Sequence, residues 1–295
     1  MKDLIDYISK RLDISNKPLI EKDIILHRIL LRLSKEEWFR DSFAFKGGTC
    51  LTKCYLGYYR FSEDIDFTYI YQNEFNGISQ KEIRRILSKK ITRFMYILSG
   101  ISDELDLDFK QDKSDSDYVE LGGSNKFATF KLWYTSNILG TKQFIKIQVN
   151  FVELLHEKIV QKKAKSLYDI PEEEMKLMFP DYKEIIYHIP IKCYSIKEIF
   201  YEKIRAVLTR RGIKARDFID VFLIMKNVKI GDYKEKAVAK IRFMQRYDKY
   251  VKNLSFDPEV VLGEEEKLML IPLEEGFDKF LKDFSNKLRK ILEEV

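Results

Sequence analysis

A glycine pair followed, one helix later, by two alternating carboxylates is the feature that most limits how this chain can fold. The residues are Lys46-Gly47-Gly48-Thr49 and then Arg60-Phe61-Ser62-Glu63-Asp64-Ile65-Asp66-Phe67. Neither glycine carries a Cβ, so the backbone can turn sharply and approach a ligand closely, and the amides opening the next helix can face an anion. The pattern predicts a strand over Phe43 to Lys46, the turn, a helix over Thr49 to Leu56 and a second strand over Phe61 to Ile70. Side chains alternate on a strand, so Asp64 and Asp66 leave one face roughly 6.5 Å apart. Such a pair suits Mg²⁺, which takes one or two carboxylates plus substrate phosphates. The order of the elements carries the expectation, because Gly-Gly-Thr or Asp-x-Asp alone is a weak signal.

A second alternating pair shows the contrast. Asp106 and Asp108 sit in Glu104-Leu105-Asp106-Leu107-Asp108-Phe109, with no glycine turn before them. Leu105, Leu107 and Phe109 would form a buried face, so a half-exposed strand over 103–110 with a solvated acidic side is the expectation.

Residues 1 to about 38 read as helices, with Ile20, Ile24, His27 and Leu31 recurring near the helical period. A helix is predicted from Gln80 to Ser99, where Ile83, Ile86, Leu87, Ile91, Phe94 and Met95 make an apolar stripe. Strands are predicted over 126–135 and 142–152, joining the motif strands in one sheet. The stretch 156–192 carries Lys162, Lys163 and Lys165, then Glu172 to Glu174, and three prolines, and reads as a surface connector. Helices resume at Ser195-Ile196-Lys197-Glu198, which matches a capping box, and the chain closes on a helix over Gly276 to Glu294. The fold class is therefore α+β, with a domain over residues 1–190 and a helical domain over 191–295.

With 295 residues, 14% aromatic and 34% charged, the chain is globular rather than disordered. A net charge of +6 favours an anionic partner such as RNA. Cys50 and Cys54, at helical i, i+4 spacing, read as packed small hydrophobes. With Cys193 they make a sparse, odd set that argues against a disulfide framework and for a reducing cytoplasm. His27, His156 and His188 fall in no zinc-ligand spacing. The longest apolar run, Val221 to Met225, is too short to cross a bilayer.

Cations concentrate in 196–216, where seven oppose two carboxylates: Lys203, Arg205, Arg210, Arg211, Lys214 and Arg216 are among them, with Asp217 and Asp220 just beyond. Ile196, Ile199, Phe200, Ile204, Val207 and Leu208 fill the buried stripe, which leaves Lys203 and Arg210 on another face. Phosphoryl and nucleotidyl transfer need positive charge beside the polyphosphate. Lys203 is the foremost candidate for that task, and Arg210, Arg211 and Lys214 for contact with RNA. Asp217, at the start of a helix, gains from the amino-terminal dipole, and Asp220 is placed to orient Lys203 or an arginine.

The motifs resemble those of the AbiEii/AbiGii-type toxins of the nucleotidyltransferase superfamily, which carry a Gly-Gly-Ser/Thr turn and a Ser-x-Asp-x-Asp strand. Gly47, Gly48, Thr49 and Ser62, Asp64, Asp66 match them, with Arg60 in its expected place, and the likeness extends from Glu21-Lys22-Asp23 to Lys203 and Asp217. The resemblance implies a minimal nucleotidyltransferase sheet with a carboxy-terminal helical lobe and an active site in the cleft between them. It implies Mg²⁺ on Asp64 and Asp66, and NTP phosphates at Gly47, Gly48, Thr49, Ser62 and Lys203. It further implies transfer of a nucleotide to an RNA hydroxyl such as the 3′ end of tRNA, a role in toxin–antitoxin or phage-defence systems, and an antitoxin as a partner. Superfamily members commonly supply a third carboxylate from a later strand, whereas Phe144 to Phe151 presents Lys146, Gln148 and Asn150. Either Asp217 takes part of that task or the metal site is incomplete. Two alternatives therefore stand: a catalytically incomplete RNA- or protein-binding module, and a phosphotransferase using the same residues.

Overall fold

The computed structural model describes residues 1–210, 212, 214–254, 267–272 and 275–295. Arg211, one of the basic residues named above, lies outside the described residues. The chain divides into two compact units, residues 1–153 with 159–193, and residues 154–158 with 194–295.

In the first unit, α1 (Lys2–Leu12), α2 (Lys17–Lys35) and α3 (Glu37–Ser42) precede β1 (Phe43–Lys46). Then come α4 (Gly47–Leu51), which runs on through a π-helical turn at Thr52–Leu56, β2 (Asp64–Tyr69) and α5 (Gln80–Leu105). The remaining elements are β3 (Val119–Gly122), β4 (Phe127–Thr135), β5 (Lys142–Asn150), β6 (Val160–Ala164), α6 (Glu172–Met178) and β7 (Ile189–Cys193). The seven strands form one mixed sheet in the order β3-β4-β5-β2-β1-β7-β6. The motif strand β2 is thus central, antiparallel to β1 and parallel to β5. Its apolar alternates Ile65 and Phe67 are fully buried. An aromatic cluster of Phe39, Phe43, Phe67 and Phe94 packs at ring separations of 4.7–5.9 Å and pins α3 and α5 to the sheet.

Two expectations need correction here. The stretch 103–110 is no strand: α5 continues to Leu105 and ends at Asp106 in the left-handed conformation, φ 56°. Leu98, Ile101 and Leu105 prolong its buried stripe, and that helical period prevails over the two-residue alternation from Leu105 to Phe109. Asp108 keeps only an isolated bridge to Trp133. The supposed connector 156–192 instead supplies β6, α6 and β7. Pro190 hides the alternation of β7, in which Ile189, Ile191 and Cys193 are buried, and Lys162 and Lys163 mark β6 as an exposed sheet edge.

The second unit contains α7 (Ile196–Thr209), α8 (Ala215–Asn227), α9 (Lys234–Met244), α10 (Asp248–Lys252) and α11 (Phe277–Leu292). Ser195 caps α7 by accepting the Glu198 amide at 3.2 Å. The capping box is only half formed, because the buried Glu198 carboxylate instead accepts from the amides of His156 and Glu157 and pairs with Lys240 at 2.8 Å. A buried ammonium needs a full counter-charge, and that demand outweighs one helix-end amide. Along α11, Phe277, Phe284 and Leu288 are buried, while Phe280 and Leu281 are half-buried.

Candidate active site

The glycine turn is packed directly against the acidic strand. Gly47 adopts φ +74°, a conformation side chains rarely accept, and a Cβ there would collide with Asp66 Oδ2 and stand 3.0 Å from its Cγ. A Cβ on Gly48 would collide with Arg60 Nη2 and lie 3.4 Å from Ser62 Oγ. Both missing methyl groups therefore make room for motif side chains. Thr49, 2% exposed, donates from Oγ1 to the Asp64 carbonyl and accepts from Ser62 Oγ at 2.7 Å. Arg60, buried, donates to the Phe61 carbonyl at 2.8 Å. Gly47, Gly48, Thr49, Ser62, Asp64 and Asp66 are thus brought together in one unit. Asp64 and Asp66 are half-buried at alternate positions of β2.

Residues on α2 hold this assembly from behind. Lys22 Nζ pairs with Glu63 Oε1 at 2.8 Å, within the motif loop. Asp23 pairs with the buried Lys53 of the π turn at 3.0 Å and accepts from the Tyr58 hydroxyl at 3.1 Å. His27 Nε2 lies 2.9 Å from the Tyr187 carbonyl, so that nitrogen carries the proton and Nδ1 faces Lys53 Nζ at 3.5 Å. Burial, reinforced by the Lys53 charge, holds the His27 pKa well below 6.5, and the ring stays neutral. Glu21, fully buried, accepts from the backbone and side-chain amides of Asn137 at 2.7 and 3.0 Å. The positioning roles of Glu21, Lys22 and Asp23 were invisible in the sequence, because each partner lies far along the chain.

On the other side of β2, parallel β5 sets Asp64 opposite Lys146 and Asp66 opposite Gln148. Lys146 Nζ stands 3.0 Å from Asp64 Oδ2, so a cation occupies the register where a third acid was sought. Among the described residues, no third carboxylate joins Asp64 and Asp66 closely enough to share one ion. Asn150 is committed elsewhere and donates to the buried Glu153 at 2.9 Å. Two carboxylates on one strand face, with Asp66 seated on a glycine, fit a hard divalent cation that draws its remaining ligands from water and phosphate.

In the second unit, Lys203 on α7 meets two carboxylates of α8, Asp217 at 2.7 Å and Asp220 at 2.5 Å. Arg210 also reaches Asp217, at 2.7 Å. Lys203, Asp217 and Asp220 are all buried, whereas Arg210 is exposed. Burial works to raise the Asp217 pKa, but Lys203 and Arg210 outweigh it and hold the carboxyl below its usual value. Lys214 immediately precedes α8, in the capping position of that helix.

A family model described as the nucleotidyl transferase AbiEii toxin of the type IV toxin–antitoxin system matches residues 28–294. The chain belongs to the AbiEii family. It is a nucleotidyltransferase toxin of that system, and AbiEii proteins as nucleotidyltransferases use an NTP and a divalent metal. The matched span opens after Glu21, Lys22 and Asp23. Among solved structures, JHP933 from Helicobacter pylori is 18% identical to this AbiEii chain, with a TM-score of 0.44 and 94% of each chain covered. A candidate nucleotidyltransferase from H. pylori is 17% identical, with a TM-score of 0.43 and coverage of 94% of this chain and 97% of that one. No curated protein matches. No described helix is long and apolar enough to cross a membrane.

Proposed function

We propose that this AbiEii chain transfers a nucleotide from an NTP to an RNA hydroxyl, the 3′ end of tRNA being the acceptor, with Mg²⁺ held by Asp64 and Asp66. The observation that carries the reading is the seating of Asp66 on Gly47, which packs the anion-facing turn directly against the acidic strand. The acceptor hydroxyl attacks the α-phosphorus, the bond to the β-phosphate oxygen breaks, pyrophosphate leaves, and the hydroxyl proton passes to solvent. Bound Mg²⁺ would stabilise the charge that builds on the phosphate oxygens.

The chain's own residues supply orientation. Gly47, Gly48 and Thr49 open α4 toward the polyphosphate, and Ser62, tied to Thr49, contacts phosphate. Because Lys203, Arg210, Asp217 and Asp220 together carry no net charge, Asp217 acts by positioning Lys203 and Arg210. Its depressed pKa makes it a weak proton acceptor. Arg210 and Lys214 extend contact to RNA, the first unit serves as the catalytic domain and the second, residues 154–158 with 194–295, as the helical one. The cytoplasm is the site of action, and a cognate antitoxin is the protein partner.

The test is a screen of the purified chain with total RNA, Mg²⁺ and each NTP in turn, labelled at the α- or the γ-phosphate. Label from the α-position of at least one NTP is expected in RNA. Transfer of γ-label alone would establish a phosphotransferase, and transfer of neither would overturn the reading.

A further inference from the structure

The three cysteines, scattered in the sequence, converge in the first unit. Cys50 on α4, Cys54 on the π turn and Cys193 at the end of β7 bring their Sγ atoms within 4.8 Å of one another, and none is in a disulfide. Cys50 and Cys193 are buried while Cys54 is half-exposed, which leaves an approach from solvent. Simple packing of small hydrophobes does not require three sulfurs at one point.

We propose that Cys50, Cys54 and Cys193 form a three-coordinate site for a soft, thiophilic metal ion, Cu(I) foremost. Thiolates select soft ions. Three sulfurs about 2.3 Å from a shared ion would stand about 4 Å apart in a plane, so the triangle needs to contract by less than ~1 Å. Among the described residues no histidine or carboxylate joins the group, so Zn²⁺, which seeks four ligands, fits less well. Surrounding groups suit an anionic metal–trithiolate. The Tyr55 hydroxyl lies 3.8 Å from Cys193 Sγ and can donate to it, and the Lys162 ammonium sits 5.1 Å from the Tyr55 ring centroid. Binding releases the thiol protons to solvent and ties α4 and its π turn to β7. Cys50 directly follows Thr49, so the clamp would act on the helix that carries the glycine turn.

The experiment titrates the reduced full chain anaerobically with Cu(I) held in a chromogenic chelator, with Zn²⁺ in a parallel arm, while counting thiols reactive toward an aromatic disulfide. One Cu(I) withdrawn per chain, loss of reactivity at the half-exposed Cys54 thiol, and weaker uptake of Zn²⁺ are expected. Cys54→Ser should weaken Cu(I) binding by about ten-fold or more with an unchanged circular dichroism spectrum, since that side chain is half-exposed. Cys193→Ser should do the same; if it unfolds, thiol protection in the wild-type chain still decides. No Cu(I) uptake with undiminished thiol reactivity would overturn the proposal. So would equal uptake by Cys54→Ser, or tighter binding of Zn²⁺ than of Cu(I).

Discussion

Gly47 and Asp66 interlock: a methyl group on the glycine would occupy the space of the aspartate's Oδ2. The turn and the acidic strand are antiparallel neighbours through β1 and β2, with Lys46 opposite Asp66. Position of the carboxylate is thereby set by backbone rather than by a flexible side-chain contact.

Gly57 offers an internal control for this seat, because its φ of +78° matches that of Gly47 while a methyl group placed on it would meet nothing within 4 Å. Gly47→Ala and Gly57→Ala should each lose about 1–3 kcal/mol from positive-φ backbone strain, Gly57 lying at φ 78° and ψ −176°, a region essentially reserved to glycine. Only Gly47→Ala should also displace Asp66 and abolish nucleotide transfer. Denaturant unfolding and a transfer assay on both variants check this.

Lys146 competes with a bound cation for Asp64. Its ion pair is partly exposed, and pairs of that kind contribute about 0.2–1 kcal/mol. Lys146→Gln should therefore lower the Mg²⁺ concentration for half-maximal activity by about two- to five-fold, read from Mg²⁺ titrations of the transfer rate.

His27 gives a pH signature. Its folded pKa lies well below 6.5, so below pH 6.5 the unfolded chain binds a proton that the folded chain refuses. Stability from this residue is complete above 6.5 and falls by about 1.4 kcal/mol per pH unit beneath it, down to the folded pKa. Urea unfolding between pH 7.5 and 5 should show a shallower loss in His27→Gln than in the wild-type chain.

The motif was legible in sequence because local constraints dictate it: glycine at a left-handed turn, and alternation on a strand that buries Ile65 and Phe67. The stripe of α5 was legible for the same reason. What stayed hidden depends on distant partners. Pro190 masked β7, and two lysines made the edge strand β6 look like a loop. The pairing of Lys146 with Asp64 follows from a parallel register that no local pattern reports.

Asp217 joins buried Lys203 to exposed Arg210, so removing its charge leaves Arg210 without that anion and Lys203 with Asp220 alone. Asp217→Asn should cost about 3–5 kcal/mol, and Lys203→Met combined with it should cost less than the sum of the two alone. Unfolding free energies of the four proteins in the cycle measure the coupling.

The most direct test of the central claim is transfer of α-phosphate label from NTP to RNA by Asp64→Ala, with wild-type protein beside it in the same Mg²⁺ buffer. Asp64 is half-buried and its ion pair weak, so the variant should unfold within about 1 kcal/mol of wild type while transferring no label. Equal transfer by the folded variant would contradict the assignment of Asp64 and Asp66 as the metal-binding pair.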